Sequence, residues 1–196
     1  IPKLGRISDY PAHYAQEAPN RVALSSPDLE LTYKDLDEQV RTHARALWST
    51  GVRPGDRVAF MGSPRVEFVI SFLATASIGA IWLGLNPRYS TRELEYVLSD
   101  ARPNLVFSAA GEQETANLHQ AMANTELNEA VAVRSFEDLE KFNLAGANAN
   151  ANGRLNLESE RAGHALQPPH QPHWLRWRSG IRSDCHWCQI IATRIV

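Results

Sequence analysis

The sequence predicts an α/β fold: a mainly parallel sheet with helices on both faces, followed by an irregular C-terminal tail. Strand-like and helix-like segments alternate through residues 1–142, which is typical of parallel strands joined by helical crossovers, each expected to be right-handed. Hydrophobic residues make up 43% of the 196 residues, which is enough for a sizeable core. After Phe142 the alternation stops at NLAGANANANG, a small, polar and repetitive segment typical of linkers. We therefore divide the chain into residues 1–142 and 143–196.

The first predicted elements are a short helix and a strand. Ser8 is placed to cap a helix that ends before Pro19, since serine is a favoured N-cap and proline stops a helix. VALSS at 22–26 predicts a short strand, and Pro27-Asp28 predicts a turn.

A long helix follows LTY at 31–33. Thr32 is a natural N-cap, and Asp35 three residues later forms an acidic variant of the capping box. Gly51 lies where a left-handed C-terminal residue is expected. The apolar residues repeat at helical spacing and predict one buried stripe. They are Leu36, Val40, Ala44 and Leu47.

The next unit predicts a strand, a helix and a second strand. RVAFM at 57–61 is the first strand, and Ser63-Pro64 opens a helix with proline in its first turn. That helix is apolar on most sides and stops at Gly79. AIWLGL at 80–85 is a continuous apolar run, which predicts a strand buried on both faces.

The remaining elements continue the alternation. Asn86-Pro87 ends the apolar strand, and Ser90 or Thr91 caps the helix TRELEYVLSD. The later elements are a strand at 104–108, a weaker helix at about 112–124, a strand at 130–133, and a capped helix from Ser135 to Phe142.

Charge and cysteine content exclude several classes of protein. The net charge of −2 gives no reason to expect a nucleic-acid partner for the whole chain. No apolar run approaches the length of a transmembrane helix, and IPKLGRISDY lacks the apolar segment of a secretory signal. Both cysteines lie at 185 and 188, so disulfides do not organise residues 1–142, and we expect a reducing, cytoplasmic location.

Single residues in the first region favour structural roles over chemical ones. Arg88 follows a strand end, where α/β ligands often bind, but a surface arginine after a structural Asn-Pro turn is the simpler interpretation. His43 lies on the long helix without a serine, cysteine or acid constellation beside it. Trp82 is most simply a core residue, and GLNPR contains one glycine and is no phosphate loop.

Three stretches carry a resemblance to a known family: LTYKDL at 31–36, GVRPGDRVAF at 51–60, and ASIGAIWLGLNPRYSTRELEYVLSDARPNLVF at 76–107. Together, in this order and spacing, they resemble the N-terminal part of AMP-forming acyl-CoA synthetases, in the adenylate-forming superfamily. The resemblance covers about residues 8–142, is continuous to Phe107, and weakens through SFEDL at 135–139. The tail at 150–196 does not share it.

The resemblance implies a two-step reaction. Such enzymes join a carboxylic or fatty acid to ATP with Mg²⁺, release pyrophosphate, and pass the acyl group to coenzyme A. The family holds the phosphates with a Ser/Thr/Gly-rich loop ending in Pro-Lys-Gly, which this sequence lacks. No residue here is therefore matched to a catalytic, cofactor-binding or metal-binding position. We expect an N-terminal fragment that is inactive alone, with uncovered apolar surface that aggregates or needs a partner.

The tail has three interpretations. His170, His173, Cys185 and Cys188 form two pairs of ligands that suit tetrahedral zinc, although such pairs arise easily in a segment rich in histidine and cysteine. Arginine and tryptophan alternate and suit single-stranded nucleic acid, although no known module is matched; the arginines are Arg176, Arg178, Arg182 and Arg194.

The third interpretation is that the tail is out of frame. From Arg161 onward there are five arginines, one acid and no lysine, and a GC-rich gene read in the wrong frame has this composition. Two functional hypotheses follow. One is an inactive enzyme fragment, and the other is a non-catalytic α/β interaction protein with a zinc- or nucleic-acid-binding tail.

Overall fold

The structure is a computed structural model that describes residues 2–27, 29–127, 131 and 133–135. The predicted capped helix from Ser135 to Phe142, apart from Ser135 itself, and all of the tail at 143–196 lie outside these residues. The helices are α1 (Asp9–Glu17), α2 (Tyr33–Ser49), α3 (Val66–Ser77), α4 (Thr91–Ala101) and α5 (Glu112–Ala123). The strands are β1 (Val22–Ser25), β2 (Glu30–Thr32), β3 (Arg57–Met61), β4 (Ile81–Leu85), β5 (Leu105–Ser108) and β6 (Val133–Ser135).

The main sheet has four parallel strands in the order β4-β3-β5-β6. Val58 in β3 lies opposite Trp82 in β4 and Leu105 in β5, which makes β3 a central strand. The predicted parallel α/β sheet is confirmed. A small antiparallel pair of β1 and β2 precedes it. Sequence patterns did not predict this pairing, because β2 is only three residues long.

Helices cover both faces of the parallel sheet and form two separate cores. Val58 and Phe60 of β3 pack with residues of α2 and α3, whereas Ala59 and Met61 pack with residues of α4 and α5. This alternation follows from the two-residue period of side chains along a strand. The result is a three-layer fold in which β3 is buried from both sides.

The start and the buried face of α2 agree with the sequence. The Thr32 hydroxyl accepts a hydrogen bond from the Asp35 N–H at 3.2 Å, and the Asp35 carboxylate accepts one from the Thr32 N–H at 3.0 Å. All four residues of the predicted stripe are buried, and Gly51 has a φ of 95°, the left-handed conformation that favours glycine. The capping box, the stripe and the glycine are therefore confirmed.

Four predicted details are wrong. Strand β4 reaches both cores but is less buried than predicted, since Ile81 is 52% exposed and of its residues Leu85 alone is buried; β3 is its one neighbour among the described strands. Helix α3 begins at Val66, so Pro64 precedes it instead of lying in its first turn. Ser8 occupies the N-cap of α1 without a capping hydrogen bond from its side chain. The last strand begins at Val133 and ends at Ser135, where the sequence predicted a helix cap.

Across the described ranges, no helix combines the length and the apolar character needed to cross a bilayer.

Candidate functional site

The carboxyl ends of β3, β4 and β5 are the natural place to look for a ligand site in this fold. From β3 the chain moves outward to β4, then crosses to the other side of β3 to form β5. Parallel α/β sheets usually bind ligands at the carboxyl ends where the strand order reverses in this way. The reversal lies between β3 and β5.

Main chain and small side chains fill this switch point. The Ala109 N–H donates to the Met61 carbonyl at 2.8 Å, which joins the two loops directly after their strands. A Cβ atom at Gly62 would lie 3.3 Å from the Ala109 Cβ and 3.1 Å from the Phe60 ring. Glycine at position 62 therefore allows the loops to approach closely, and sequence spacing gave no sign of this.

Ser108 is the polar residue at the end of β5. Its hydroxyl lies 2.8 Å from the Thr115 hydroxyl in α5 and also accepts the Ala110 N–H at 3.3 Å. Among the described residues, no histidine or acid is a hydrogen-bond partner of Ser108, so they do not form the constellation that activates a serine nucleophile. We infer that the Ser108 hydroxyl has a structural role, since it links the end of β5 to α5 through Thr115.

The N-terminus of α5 is unsuited to a phosphate. Gly111 occupies the N-cap without a capping side chain, and the Glu114 carboxylate sits so close that a Cβ at Gly111 would be 2.6 Å from its Oε2 atom. Glu112 adds a second acid to the first turn. Helix N-termini attract anions through free N–H groups, but two carboxylates here oppose a triphosphate.

Arg88 lies at the carboxyl end of β4 with an exposed side chain. Its N–H donates to the Asn86 side-chain oxygen at 2.9 Å, and the Tyr89 N–H donates to the Asn86 carbonyl at 3.0 Å. Asn86 therefore holds this turn, as the structural interpretation of Asn-Pro expects. Within the described ranges no carboxylate lies within ion-pair distance of Arg88, whereas Arg65 after β3 pairs with Glu67 at 3.3 Å.

His43 and Trp82 lie away from this edge of the sheet. His43 is buried on α2, with Nδ1 2.9 Å from the Gln39 carbonyl, which supports a packed histidine. Trp82 is partly buried and lies against Phe60, Phe68 and Phe72, with ring centroids 5.0–6.3 Å apart. The structure does not bring His43, Trp82 and Arg88 into one site.

An open concavity lies between α1 and α2, away from the strand ends. This open groove of about 360 Å³ is lined by three cations, two acids and two uncharged residues: Lys34, Arg41, Arg45, Asp37, Glu38, Ala15 and Thr42. Arg41 and Asp37 pair at 2.8 Å, as neighbours one helical turn apart commonly do. Mixed charge on an open surface specifies no ligand.

Two carboxyl groups in the described part have a clearly displaced pKa, and both cap helices. Hydrogen bonds from the Thr32 hydroxyl and N–H lower the pKa of Asp35. Hydrogen bonds from the Ser90 N–H and hydroxyl lower the pKa of Glu93. The hydrogen bonds stabilise the charged carboxylates, and the same bonds fix the N-terminal ends of α2 and α4.

The described residues do not fit ATP with its metal ion. They contain no group of three or more histidine, cysteine or acidic residues that could hold a metal, and no glycine-rich strand-to-helix turn follows β3, β4 or β5. Four residues predicted as a possible zinc site lie outside the described part: His170, His173, Cys185 and Cys188. The described residues therefore support the fold and do not themselves form a binding site for ATP.

Comparison with known protein families gives one match that spans most of the chain. The family model for "AMP-binding enzyme" matches residues 12–175. The matched range begins within α1 and runs to residue 175. The expectation that the resemblance ends at about residue 142 and is absent from the whole tail is therefore wrong for the segment up to residue 175.

Several curated relatives are CoA ligases. The chain is 34% identical over 109 residues to the 3-hydroxybenzoate--CoA/4-hydroxybenzoate--CoA ligase of Thauera aromatica, covering 56% of this chain and 20% of that protein. It is 37% identical over 95 residues to a medium/long-chain-fatty-acid--CoA/3-oxocholest-4-en-26-oate--CoA ligase of Mycobacterium marinum, covering 48% and 17%. The chain spans about a fifth of the length of these relatives.

Solved structures show the same fold. Klebsiella oxytoca NpsA, in complex with 3-hydroxyanthranilyl-AMSN, superposes with a TM-score of 0.58 at 27% identity, covering 71% of this chain and 26% of that one. The N-terminal domain of FACL13 from Mycobacterium tuberculosis gives a TM-score of 0.64 at 24% identity, covering 72% and 36%. With the family match over residues 12–175, these similarities show that the chain belongs to the AMP-binding enzyme family.

Proposed function

We propose that this chain is the N-terminal part of an AMP-forming acid–CoA ligase. The observation that carries the proposal is the family match over residues 12–175, which includes the parallel sheet. CoA ligases among the curated relatives support the reaction class. The substrate class is a carboxylic acid, since those relatives are named for ferulate, hydroxybenzoate and fatty acids.

The parent reaction uses ATP, Mg²⁺ and coenzyme A. ATP converts the carboxylate oxygen into a better leaving group, and positive donors around the phosphates stabilise the charge that develops there. This chain's own residues contribute the frame. Strands β3 and β5 pair side by side, the Ala109–Met61 hydrogen bond extends this pairing past β5, and Asn86 shapes the turn after β4.

We further propose that the chain does not catalyse this reaction by itself. The sequence has no Ser/Thr/Gly-rich loop ending in Pro-Lys-Gly. Two acids occupy the first turn of α5, where a phosphate would otherwise find free N–H groups. Of the arginines that follow β3 and β4, Arg65 pairs with Glu67 and Arg88 is exposed, and one exposed arginine is a poor substitute for a cradle of several donors.

Acid-dependent exchange of pyrophosphate into ATP tests this directly. The purified full chain is incubated with Mg-ATP and a panel of hydroxybenzoate, ferulate and fatty acids, with a complete CoA ligase as positive control. We expect exchange no faster than without acid. Acid-dependent exchange that disappears with a non-hydrolysable ATP analogue would refute the proposal of inactivity.

We propose that the last part of the tail, residues 176–196, is out of frame with the family sequence, because the family match ends at residue 175. Its arginine-rich, lysine-free composition supports this. Translating the nucleotide sequence of residues 143–196 and the bases after it in the other two frames checks it. We expect a Ser/Thr/Gly-rich loop ending in Pro-Lys-Gly, and its absence from both frames would overturn this proposal.

The ligase parent is proposed to be cytoplasmic and to bind no nucleic acid.

A second candidate function rests on the two pairs of possible zinc ligands in the tail. In that case the chain is a non-catalytic α/β interaction protein whose tail binds zinc or nucleic acid. Metal analysis of the purified chain separates the candidates. One zinc per chain that is lost in Cys185→Ser, but kept in the control His164→Ala, favours the second, whereas a chain free of zinc favours the ligase fragment.

A further inference from the structure

The outer edge of β4 carries hydrogen-bonding groups that no described strand uses. Ile81 donates its N–H to the Asp56 carbonyl at 2.7 Å, so its backbone faces β3. Backbone groups of successive residues point to alternate sides of a strand. Trp82 and Gly84 therefore direct their N–H and C=O groups away from β3. No described strand pairs with them.

This edge lacks the devices that usually protect strand edges. Proteins blunt such edges with charged residues, proline or bulges. IWLGL has no charge and no proline, and β4 pairs with β3 in continuous register without a bulge. Both flanking faces are apolar: Phe68 and Phe72 lie partly buried on one side and Leu83 on the other.

The sequence of β4 is complementary to itself in one antiparallel register. A two-fold axis through Leu83 places Trp82 of one copy opposite Gly84 of the other and Ile81 opposite Leu85. Trp82 and Gly84 are both outward-facing, so each pair exchanges two main-chain hydrogen bonds. A Cβ atom at Gly84 would lie 3.8 Å from the Phe68 ring and 3.9 Å from the Trp82 Nε1 atom of the same chain, so the opposite indole would meet an aromatic surface at this position.

We propose that two copies of this chain pair through the outer edges of β4, which joins the four described parallel strands of each copy into one continuous sheet. The interface is isologous and closes at two copies, because the same strand meets itself. No charged residue lies opposite another within the paired strands, so like-charge repulsion does not oppose the approach. The dimer rests on the fold and is independent of the proposed ligase chemistry.

The size of the edge predicts a weak dimer. Five residues span about 17 Å, and a sheet with a helical layer on each side is about 20 Å tall at this edge. Two such faces bury roughly 700 Å² in total, below the ~1,200–2,000 Å² of stable complexes. Association is therefore expected only in the upper micromolar range and above.

Sedimentation equilibrium of the full chain over the micromolar to millimolar range tests the proposal. Reductant is present so that Cys185 and Cys188 cannot cross-link copies. We expect a reversible monomer–dimer equilibrium. Gly84→Pro removes an outward N–H that β3 does not use, and Ile81→Lys puts a charge on the edge, so each weakens dimerisation by at least about tenfold.

Val22→Lys is the matched control, because Val22 is 45% exposed on β1 and the charge change is the same. It should leave the equilibrium unchanged, and urea unfolding verifies that all three variants keep the fold. Hydrogen exchange adds a second readout: the Trp82 and Gly84 amides should become protected as concentration rises.

Four outcomes overturn the proposal. The first is a chain that stays monomeric throughout and has exposed Trp82 and Gly84 amides. The second is a monomer in which those amides are protected at every concentration, which assigns the edge to another segment of the same chain. The third is a dimer insensitive to Gly84→Pro and Ile81→Lys. The fourth is growth beyond two copies, which excludes a closed two-fold interface.

Discussion

At the scale of single residues, hydroxyl–carboxylate pairs fix the starts of α2 and α4. The Thr32 and Ser90 hydroxyls each accept an N–H three residues later, and the Asp35 and Glu93 carboxylates reach back to the cap N–H groups. Each pair satisfies two N–H groups that a helix start leaves without a partner. These four residues therefore set where two helices begin and how the chain enters them.

Removing one cap hydroxyl tests its contribution to stability. Thr32→Ala should lower the free energy of unfolding by about 1 kcal/mol, because the Asp35 N–H loses its acceptor. Urea unfolding followed by circular dichroism measures the change. Thr42→Ala is the control, since Thr42 lies inside α2 and bonds back to the Glu38 carbonyl; it should cost much less. Equal losses in the two variants would contradict a specific role for the cap.

The same pairs predict a pH dependence. Hydrogen bonds from Thr32 and Ser90 hold the pKa values of Asp35 and Glu93 below their ordinary values of 3.8 and 4.5. A lowered pKa in the folded state stabilises the protein above the unfolded pKa, and this contribution is lost as pH falls through the folded pKa. Stability should therefore decline below about pH 4.5. In the double variant Asp35→Asn/Glu93→Gln, the free energy of unfolding, measured by urea unfolding at a series of pH values, should fall less steeply below about pH 4.5. An unchanged dependence of this free energy on pH would contradict the prediction.

At the scale of elements, local patterns determined α2 and α4 well and β4 poorly. Capping residues and apolar spacing act within one helix. Thr32 and the stripe of α2 could therefore be predicted from the sequence, and the cap of α4 could be narrowed to Ser90 or Thr91, of which the structure shows Ser90. Whether a strand is central or at an edge depends on its neighbours in space. AIWLGL resembles a central strand in composition, yet only β3 adjoins it in the described sheet. The close approach of Gly62 and Ala109 could not be predicted for the same reason, because it depends on β3 and β5 being neighbours in the sheet.

The aromatic contacts between β3, α3 and β4 predict a large contribution from Phe60. Its fully buried ring lies 5.0 Å from Phe68 and 5.6 Å from Trp82. Phe60→Ala should cost about 3–5 kcal/mol of unfolding free energy, because it leaves a cavity between three elements. Tyr96→Ala, at a position 61% exposed on α4, should change stability by less than about 0.5 kcal/mol. Similar values for both would show that the aromatic cluster is not a core.

At the scale of the whole molecule, the three-layer arrangement predicts a gradient of local stability. Strand β3 has hydrogen-bonded neighbours on both sides and helices on both faces, whereas the outward amides of β4 have no partner among the described strands. Amide exchange follows local opening. In dilute solution β3 amides should exchange slowest and the Trp82 and Gly84 amides among the fastest, as amide-resolved hydrogen exchange would show. Equal protection of β3 and these two amides would contradict the gradient.

The order β4-β3-β5-β6 also has a consequence for synthesis on the ribosome. A nascent chain emerges from its N-terminus, so β3 meets β4 before its other neighbour β5 has been made. Until Ser108 has left the exit tunnel, Val58 and Phe60 belong to a two-stranded unit with α2 and α3, and the opposite face of β3 waits for α4 and α5. The half-made sheet exposes Ala59 and Met61 during that interval. Stalled nascent chains ending before β5 should therefore engage chaperones that recognise apolar segments, and chains extended past α5 should release them.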